Sequence, residues 1–305
     1  MALTLDQITA ITRKKFMSVL VDNIFNNNAL LKRFKATEDL QDGGTEVVQP
    51  LEYAVDSAAG WFQGSETLDT TDTETFTGAT YQWKQYYANI SITGRDRKKN
   101  SGDSAIVNFV AGKMKNAEKT LRRDLNTGLF NDGSNAKAIQ GLRLAINTTG
   151  TYGDIAHGTY TWWNGNVDST TTTLTLAAMQ GSYGDASDGA DNPTILTSDQ
   201  DMFDRYWNLL QPAQRFADEE MTRGGFKSLM FNQAPYVVDQ ASPANHLFYV
   251  NEDYFSLKPH KDENMKLQEF QRVVNQDVEV ARVLWFGVFA GSNNRRSSIM
   301  TAVTA

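Results

Sequence analysis

From Ile106 to Leu129, apolar residues recur at steps of three and four: Ile106, Val110, Met114, Ala117, Leu121, Leu125 and Leu129. This period puts them on one stripe of an α-helix. The spacing predicts a helix over 104–130, about 40 Å long at roughly 1.5 Å per residue. Asp103 or Ser104 suits its cap, and Asn131-Asp132-Gly133-Ser134 supplies a stop. The other face carries Lys113, Lys115, Lys119, Arg122 and Arg123. A compact domain rarely needs so long a straight helix with so narrow a stripe. The element reads as a spine laid across a thin, flat subunit.

Around this spine the order of elements is mixed, which argues for α+β rather than a regular βαβ alternation. Helical spacing runs through Ile8, Ile11, Phe16, Val19 and Leu20, and again through Val21, Ile24, Phe25, Leu30, Leu31 and Phe34, an N-terminal arm with helical pieces. A strand is expected over 45–55 and a second over 80–93. Between them, 56–78 is rich in Thr, Asp, Glu, Gly and Ser, far beyond the roughly 2–5 residues of a hairpin loop. Short helices are expected over 174–180 and after Ser198, where Ser198-x-x-Asp201 is a weak capping box. Strands are expected over 193–198, 229–238, 247–257, 278–281, 283–290 and 297–303. At 305 residues and 40% hydrophobic, a chain can hide roughly three quarters of its unfolded surface.

The net charge of -7 conceals an alternation. Residues 1–35 carry six basic and two acidic side chains; residues 38–74 carry ten acidic and none basic; residues 84–123 carry ten basic and three acidic; residues 124–204 carry two basic and ten acidic. Successive blocks of opposite sign suggest surfaces that meet, within or between subunits. The long polar loop also holds Gly60-Trp61-Phe62-Gln63-Gly64. Two large aromatics on a solvated loop gain nothing in a monomer, and a partner surface explains them. The expected inter-subunit contacts are Trp61 and Phe62 as anchors, with Glu66, Asp69, Asp72 and Glu74 meeting Arg95, Arg97, Lys98 and Lys99 of another copy.

No catalytic or cofactor pattern emerges. There are no cysteines, and His157, His246 and His260 lack metal-ligand spacing. No nucleophile elbow, phosphate loop or dinucleotide fingerprint is present. Asp185, Asp188 and Asp191 do not match a Ca²⁺ loop. No apolar run reaches membrane-spanning length, and the opening residues do not read as a secretory signal. The negative charge argues against a chain whose main task is gripping nucleic acid. No metal, no cofactor and no enzymatic activity are expected.

Several phrases, in order, carry a resemblance: Val21-Asp22-Asn23-Ile24-Phe25-Asn26-Asn27-Asn28-Ala29-Leu30-Leu31, Tyr81-Gln82-Trp83-Lys84-Gln85, Ile90-Ser91-Ile92-Thr93-Gly94, Leu129-Phe130-Asn131-Asp132-Gly133, Ile139-Gln140-Gly141-Leu142, Val237-Val238-Asp239 and Phe248-Tyr249-Val250-Asn251. Together they resemble the major capsid proteins of tailed double-stranded-DNA bacteriophages, with the Hong Kong 97-type fold. The resemblance implies an N-terminal arm over 1–44 and an extended two-stranded loop over 45–94. It implies a peripheral domain from 95–142 and 258–305 and an axial domain over 143–257. It further implies self-assembly as pentamers and hexamers into an icosahedral shell, a virion location after assembly in the host cytoplasm, a separate scaffolding protein, a portal, and packaged DNA held by non-specific contact. Two alternatives stay open: another phage structural protein of tail-tube or decoration type, and a polysaccharide-degrading enzyme built around Trp162-Trp163.

Overall fold

A computed structural model describes residues 28–71, 73–99, 103–210 and 228–304, with backbone alone for 103–108 and Ser228. The arm helices expected before Asn28 lie outside the described residues. In chain order the elements are α1 (Ala29–Ala36), β1 (Val47–Glu52), β2 (Phe76–Tyr81), β3 (Lys84–Thr93), α2 (Gly94–Lys99), α3 (Asp103–Leu129), α4 (Leu142–Ala145), β4 (Thr151–Tyr152), β5 (Ile155–Ala156), β6 (Asn166–Asp168), α5 (Leu176–Asp185), β7 (Ile195–Ser198), α6 (Gln200–Leu209), β8 (Ser228–Phe231), β9 (Ala234–Val238), β10 (Leu247–Val250), β11 (Phe255–Pro259), β12 (Lys266–Leu267), β13 (Gln271–Arg272), β14 (Val278–Gly291) and β15 (Ser298–Met300). This is the α+β class expected.

The long helix α3 forms where its apolar period runs. Val110, Met114, Ala117, Leu121, Leu125 and Leu129 are all buried. Its stop works through short side chains that bond backbone: Asn131 Nδ2 donates to the Ile139 carbonyl at 2.8 Å, and Ser134 N–H donates to Asp132 Oδ1 at 3.0 Å. Gly141 is required here, because a Cβ would sit 2.4 Å from the Asn131 nitrogen. The helix packs on β3, and Tyr86 Oη donates to Asp124 Oδ2 at 2.8 Å between them.

Two sheets organise the rest. In the first, the fourteen-residue β14 is central, pairing with β11, β12, β13 and along ten residues with β3. In β3, Ala88, Ile90 and Ile92 alternate inward, as period 2 demands. The second is a six-stranded mixed sheet in the order β6-β15-β10-β7-β9-β8. It lies between two apolar clusters. Leu196, Tyr236, Leu247, Tyr249 and Met300 pack with α5 and α6 residues Met179, Tyr183, Phe203 and Tyr206. Ile195, Val237, Phe248 and Ile299 join the larger core that contains α3. Strands buried on both faces read as unbroken apolar runs, which is why Leu247-Phe248-Tyr249-Val250 shows no alternation.

The structure corrects several expectations. The strand expected over 80–93 breaks at Gln82-Trp83, because β2 pairs with β1 whereas β3 crosses into the β14 sheet. Trp83 holds that crossing, stacked on Phe286 at 4.7 Å and donating Nε1–H to the Gly44 carbonyl at 2.9 Å. The runs 278–281 and 283–290 are one strand, since Arg282 only occupies the outward side of its alternation. The run 229–238 is a two-stranded hairpin turning at Asn232-Gln233, both at positive φ (45° and 69°), as a two-residue primed turn needs. Helix α6 is capped by Asp199, whose Oδ1 accepts from Met202 N–H at 3.2 Å, not by Ser198. The division at 257/258 falls inside β11, and Ser298–Met300, grouped by sequence with the peripheral piece, pairs with β10 and β6 in the six-stranded sheet.

Candidate inter-subunit surface

The β1–β2 hairpin is fixed at its root. Val47 pairs opposite Tyr81 and Glu52 opposite Phe76. The ladder continues past the strands through Tyr53 N–H to the Thr75 carbonyl (3.0 Å) and a Ser57–Thr73 hydroxyl contact (3.1 Å). Tyr53 stacks on Trp162 at 5.0 Å, and Trp162 meets Trp163 edge to face. Trp163 is buried and donates Nε1–H to the Tyr152 carbonyl at 3.0 Å. The Trp162-Trp163 pair is therefore a buttress beneath the loop, occupied by its own chain rather than open as a sugar platform.

Beyond this root the loop leaves the body. Almost every described residue from Val55 to Thr71 is exposed. Trp61 is 104% exposed and Phe62 62%. The tip is shaped only by local bonds: Ala58 N–H to Asp56 Oδ1 (2.9 Å), Gln63 N–H to Glu66 Oε2 (3.2 Å), and Thr71 to Asp69 Oδ1 (2.7 and 3.0 Å). The Thr71 hydroxyl and amide hold the Asp69 carboxyl below its usual range, so it stays charged. Val48, Val55, Leu68 and Phe76 are exposed as well. Sequence reasoning missed these four. The alternation of buried Val47 and Leu51 with exposed Val48 in β1 is the signal that points to an apolar outer face.

The charged candidates divide. Glu66, Asp69 and Glu74 make no ion pair among the described residues, and Asp72 lies outside them. Part of the acidic block is neutralised within the chain: Asp39 faces Lys258 at 3.6 Å and Asp42 faces Lys261 at 3.3 Å. On α2, Arg95, Lys98 and Lys99 are exposed. Arg97 instead pairs with Glu279 of its own chain at 2.7 Å, because α2 docks beside β14, so Arg97 is a fold contact. Among the described residues, Glu66, Asp69 and Glu74 form no ion pair with Arg95, Lys98 or Lys99.

The other chemistry-bearing side chains among the described residues are held in the fold. Among the described residues no three His, Cys, Asp or Glu converge as a metal site. His157 is fully buried between Asn164 and the Leu144 carbonyl. Asp188 pairs with Arg296, and Asp191 accepts from Tyr254 Oη at 2.6 Å. A cleft of about 840 Å³ lies between β3 and the exit of α3. Three of its polar groups are held within the chain: Tyr86 on Asp124, Arg143 on Asp132, and Lys84 on the Ala136 carbonyl. No helix among the described residues is long and apolar enough to cross a membrane.

No protein-family model matches the sequence, and no curated protein is similar to it in sequence. Solved structures are similar in fold. The capsid asymmetric unit of cyanophage A-1(L) superposes with a TM-score of 0.67 at 14% identity, covering 90% of this chain and 92% of that one. The capsid of a native GTA particle gives 0.62 at 12% identity, covering 88% of each. An encapsulin complex from Synechococcus elongatus gives 0.59 at 9% identity, covering 89% and 87%. Spine helix, two-stranded loop, two sheets and near-complete coverage agree: the chain has the α+β Hong Kong 97-type fold of tailed-phage capsid and related shell proteins.

Proposed function

We propose that this chain is the major capsid subunit of a tailed bacteriophage, a structural protein that self-assembles through pentamers and hexamers into an icosahedral shell around double-stranded DNA. The observation that carries the reading is the projecting loop, with a fully exposed Trp61 on a chain whose fold is that of shell subunits. An aromatic tip with Trp61 fully exposed is costly for a monomer and is covered when a neighbouring copy receives it. In this reading Trp61 and Phe62 anchor the loop on the neighbour. Glu66, Asp69, Asp72 and Glu74 meet Arg95, Lys98 and Lys99 of another copy and set register more than strength. The division into arm (1–44), loop (45–94), peripheral and axial parts belongs to this proposal, with β15 assigned to the axial sheet. Enzymatic activity has no part in it. A separate scaffolding protein and a portal complete the assembly, and DNA is held by confinement with sequence-independent contact.

Electron microscopy of the purified protein tests the reading. Closed shells are expected; tubes or small discrete particles overturn it. The likeness to an encapsulin complex favours one second reading, a container for protein cargo. Shells purified from the native source that hold protein but no double-stranded DNA select that reading instead. Tight binding of the free subunit to one defined DNA sequence at physiological salt refutes the confinement claim.

A further inference from the structure

The six-stranded sheet and the spine helix meet at a polar contact inside otherwise apolar surroundings. Asn126, in the last turn of α3, and Asp239, just after β9, are each only 4% exposed. Asn126 Nδ2 donates to Asp239 Oδ1 at 2.5 Å, and Ala241 N–H donates to the same oxygen at 2.9 Å. Asp239 N–H donates to the Ser198 carbonyl at 2.8 Å, and the Asp239 carbonyl accepts from Ser242 N–H at 3.1 Å, so the backbone there is fixed to the sheet. The two atoms left over, Asn126 Oδ1 and Asp239 Oδ2, are both buried and both without a protein partner.

An ionised carboxylate only accepts hydrogen bonds, and an amide oxygen only accepts. Two leftover acceptors, one on each partner of a single N–H···O bond, can make no hydrogen bond with each other while the carboxylate is charged. A proton on Oδ2 reverses this. It turns that oxygen into a donor, and its natural acceptor is the Asn126 oxygen, closing a two-bond ring between acid and amide. We propose that Asp239 carries a proton in the folded subunit and forms with Asn126 a cyclic acid–amide pair, a latch between the spine helix and the six-stranded sheet that loosens when the proton leaves.

The surroundings favour the neutral form. Burial pushes the Asp239 carboxyl above the usual carboxylate range, against the opposing pull of Ala241 N–H and the Asn126 amide. The charged and titratable groups on the neighbouring parts of the packed elements include Arg122, Arg123 and Asp124 on α3, Tyr236 on β9, whose hydroxyl meets Ser198 Oγ, Asp199 after β7, Arg143 on α4, and His246 on the segment after Asp239. Arg123 is held by Asp124, Arg143 by Asp132, Asp199 caps α6, and His246 Nδ1 meets the Ala244 carbonyl. Among the described residues none forms an ion pair with Asp239. The sign follows: the folded state holds a proton that the unfolded chain releases more readily. The latch is therefore intact at low pH and lost as pH rises through the raised folded value.

Asp239→Asn is the decisive variant, since an amide there closes the same ring with Asn126 and never ionises. Hydrogen exchange of the full-length protein is read by mass spectrometry at backbone amides of 123–131 and 236–242. Wild type and D239N are compared at each pH, so that intrinsic exchange rates cancel. The expected result is equal protection at low pH and, above the ordinary carboxylate range, a wild-type opening constant that grows relative to D239N by up to about tenfold per pH unit, the limit for one proton, until it levels off at the raised folded value. A ratio that stays flat from pH 5 to pH 9, as it would with an ionised Asp239 and both acceptors served by a bridging water, overturns the proposal. So does failure of D239N to fold, because the neutral isostere is then not equivalent.

Discussion

Trp61→Ala isolates the contribution of the loop tip. In the free subunit the side chain is fully exposed, so its removal deletes no contact there. A Trp presents about 200 Å². If a neighbour covers half, burial contributes about 2.5 kcal/mol at about 25 cal/mol per Å². Fixing the side chain costs about 1 kcal/mol, leaving about 1.5 kcal/mol per contact. That is about a tenfold change in an association constant. Each subunit of a closed shell extends one loop, so the free-subunit concentration in equilibrium with shells should rise about tenfold in W61A. Sedimentation of assembled against free protein over a concentration series measures it, with thermal unfolding of the free subunit alongside. The expected pattern is a raised assembly threshold with an unchanged subunit Tm. An unchanged threshold refutes the anchor role, and a lowered subunit Tm shows that Trp61 packs within its own chain.

Reversing Glu66 and Asp69 to Lys should impair assembly at low salt, with recovery when Lys98 and Lys99 are reversed to Glu; light scattering that shows unimpaired low-salt assembly in the first variant removes the pairing. Leu121→Ala empties a fully buried position in the spine and should lower subunit stability by about 2–5 kcal/mol in denaturant unfolding, whereas Lys115→Ala on the exposed face should leave it unchanged. Burial holds the His157 ring below its ordinary value near 6.5, so the unfolded chain takes up a proton that the folded ring resists. Its share of stability is complete above that value and declines as pH falls through it toward the lower folded value. His157→Gln should flatten this part of the acid limb of a Tm-against-pH curve, and an unaltered acid limb contradicts the assignment.

Features that depend on local period and local chemistry are legible in the amino-acid order alone. The stripe from Val110 to Leu129 specifies the spine because buried residues on a helix must recur near every 3.6 positions. Asn131 to Ser134 stops it because short polar side chains bond backbone within a few residues. Trp61 and Phe62 stood out because large aromatics in a polar run lack any local reason to be there. Partner choice between distant segments was decided only in three dimensions. Nothing in Lys84–Thr93 states that it leaves β2 for β14, since the same alternation serves either neighbour. Ser298–Met300 reads as a strand, yet its place between β10 and β6 follows from which sheet edge the returning chain can reach. Arg97 and its neighbours Arg95, Lys98 and Lys99 look alike as a basic run; only the docking of α2 beside β14 gives Arg97 to Glu279 and leaves the others outward. Asn126 and Asp239, 113 positions apart, carry no local signal of their contact, because a buried hydrogen bond between helix and sheet is set by the packing of both against a shared core.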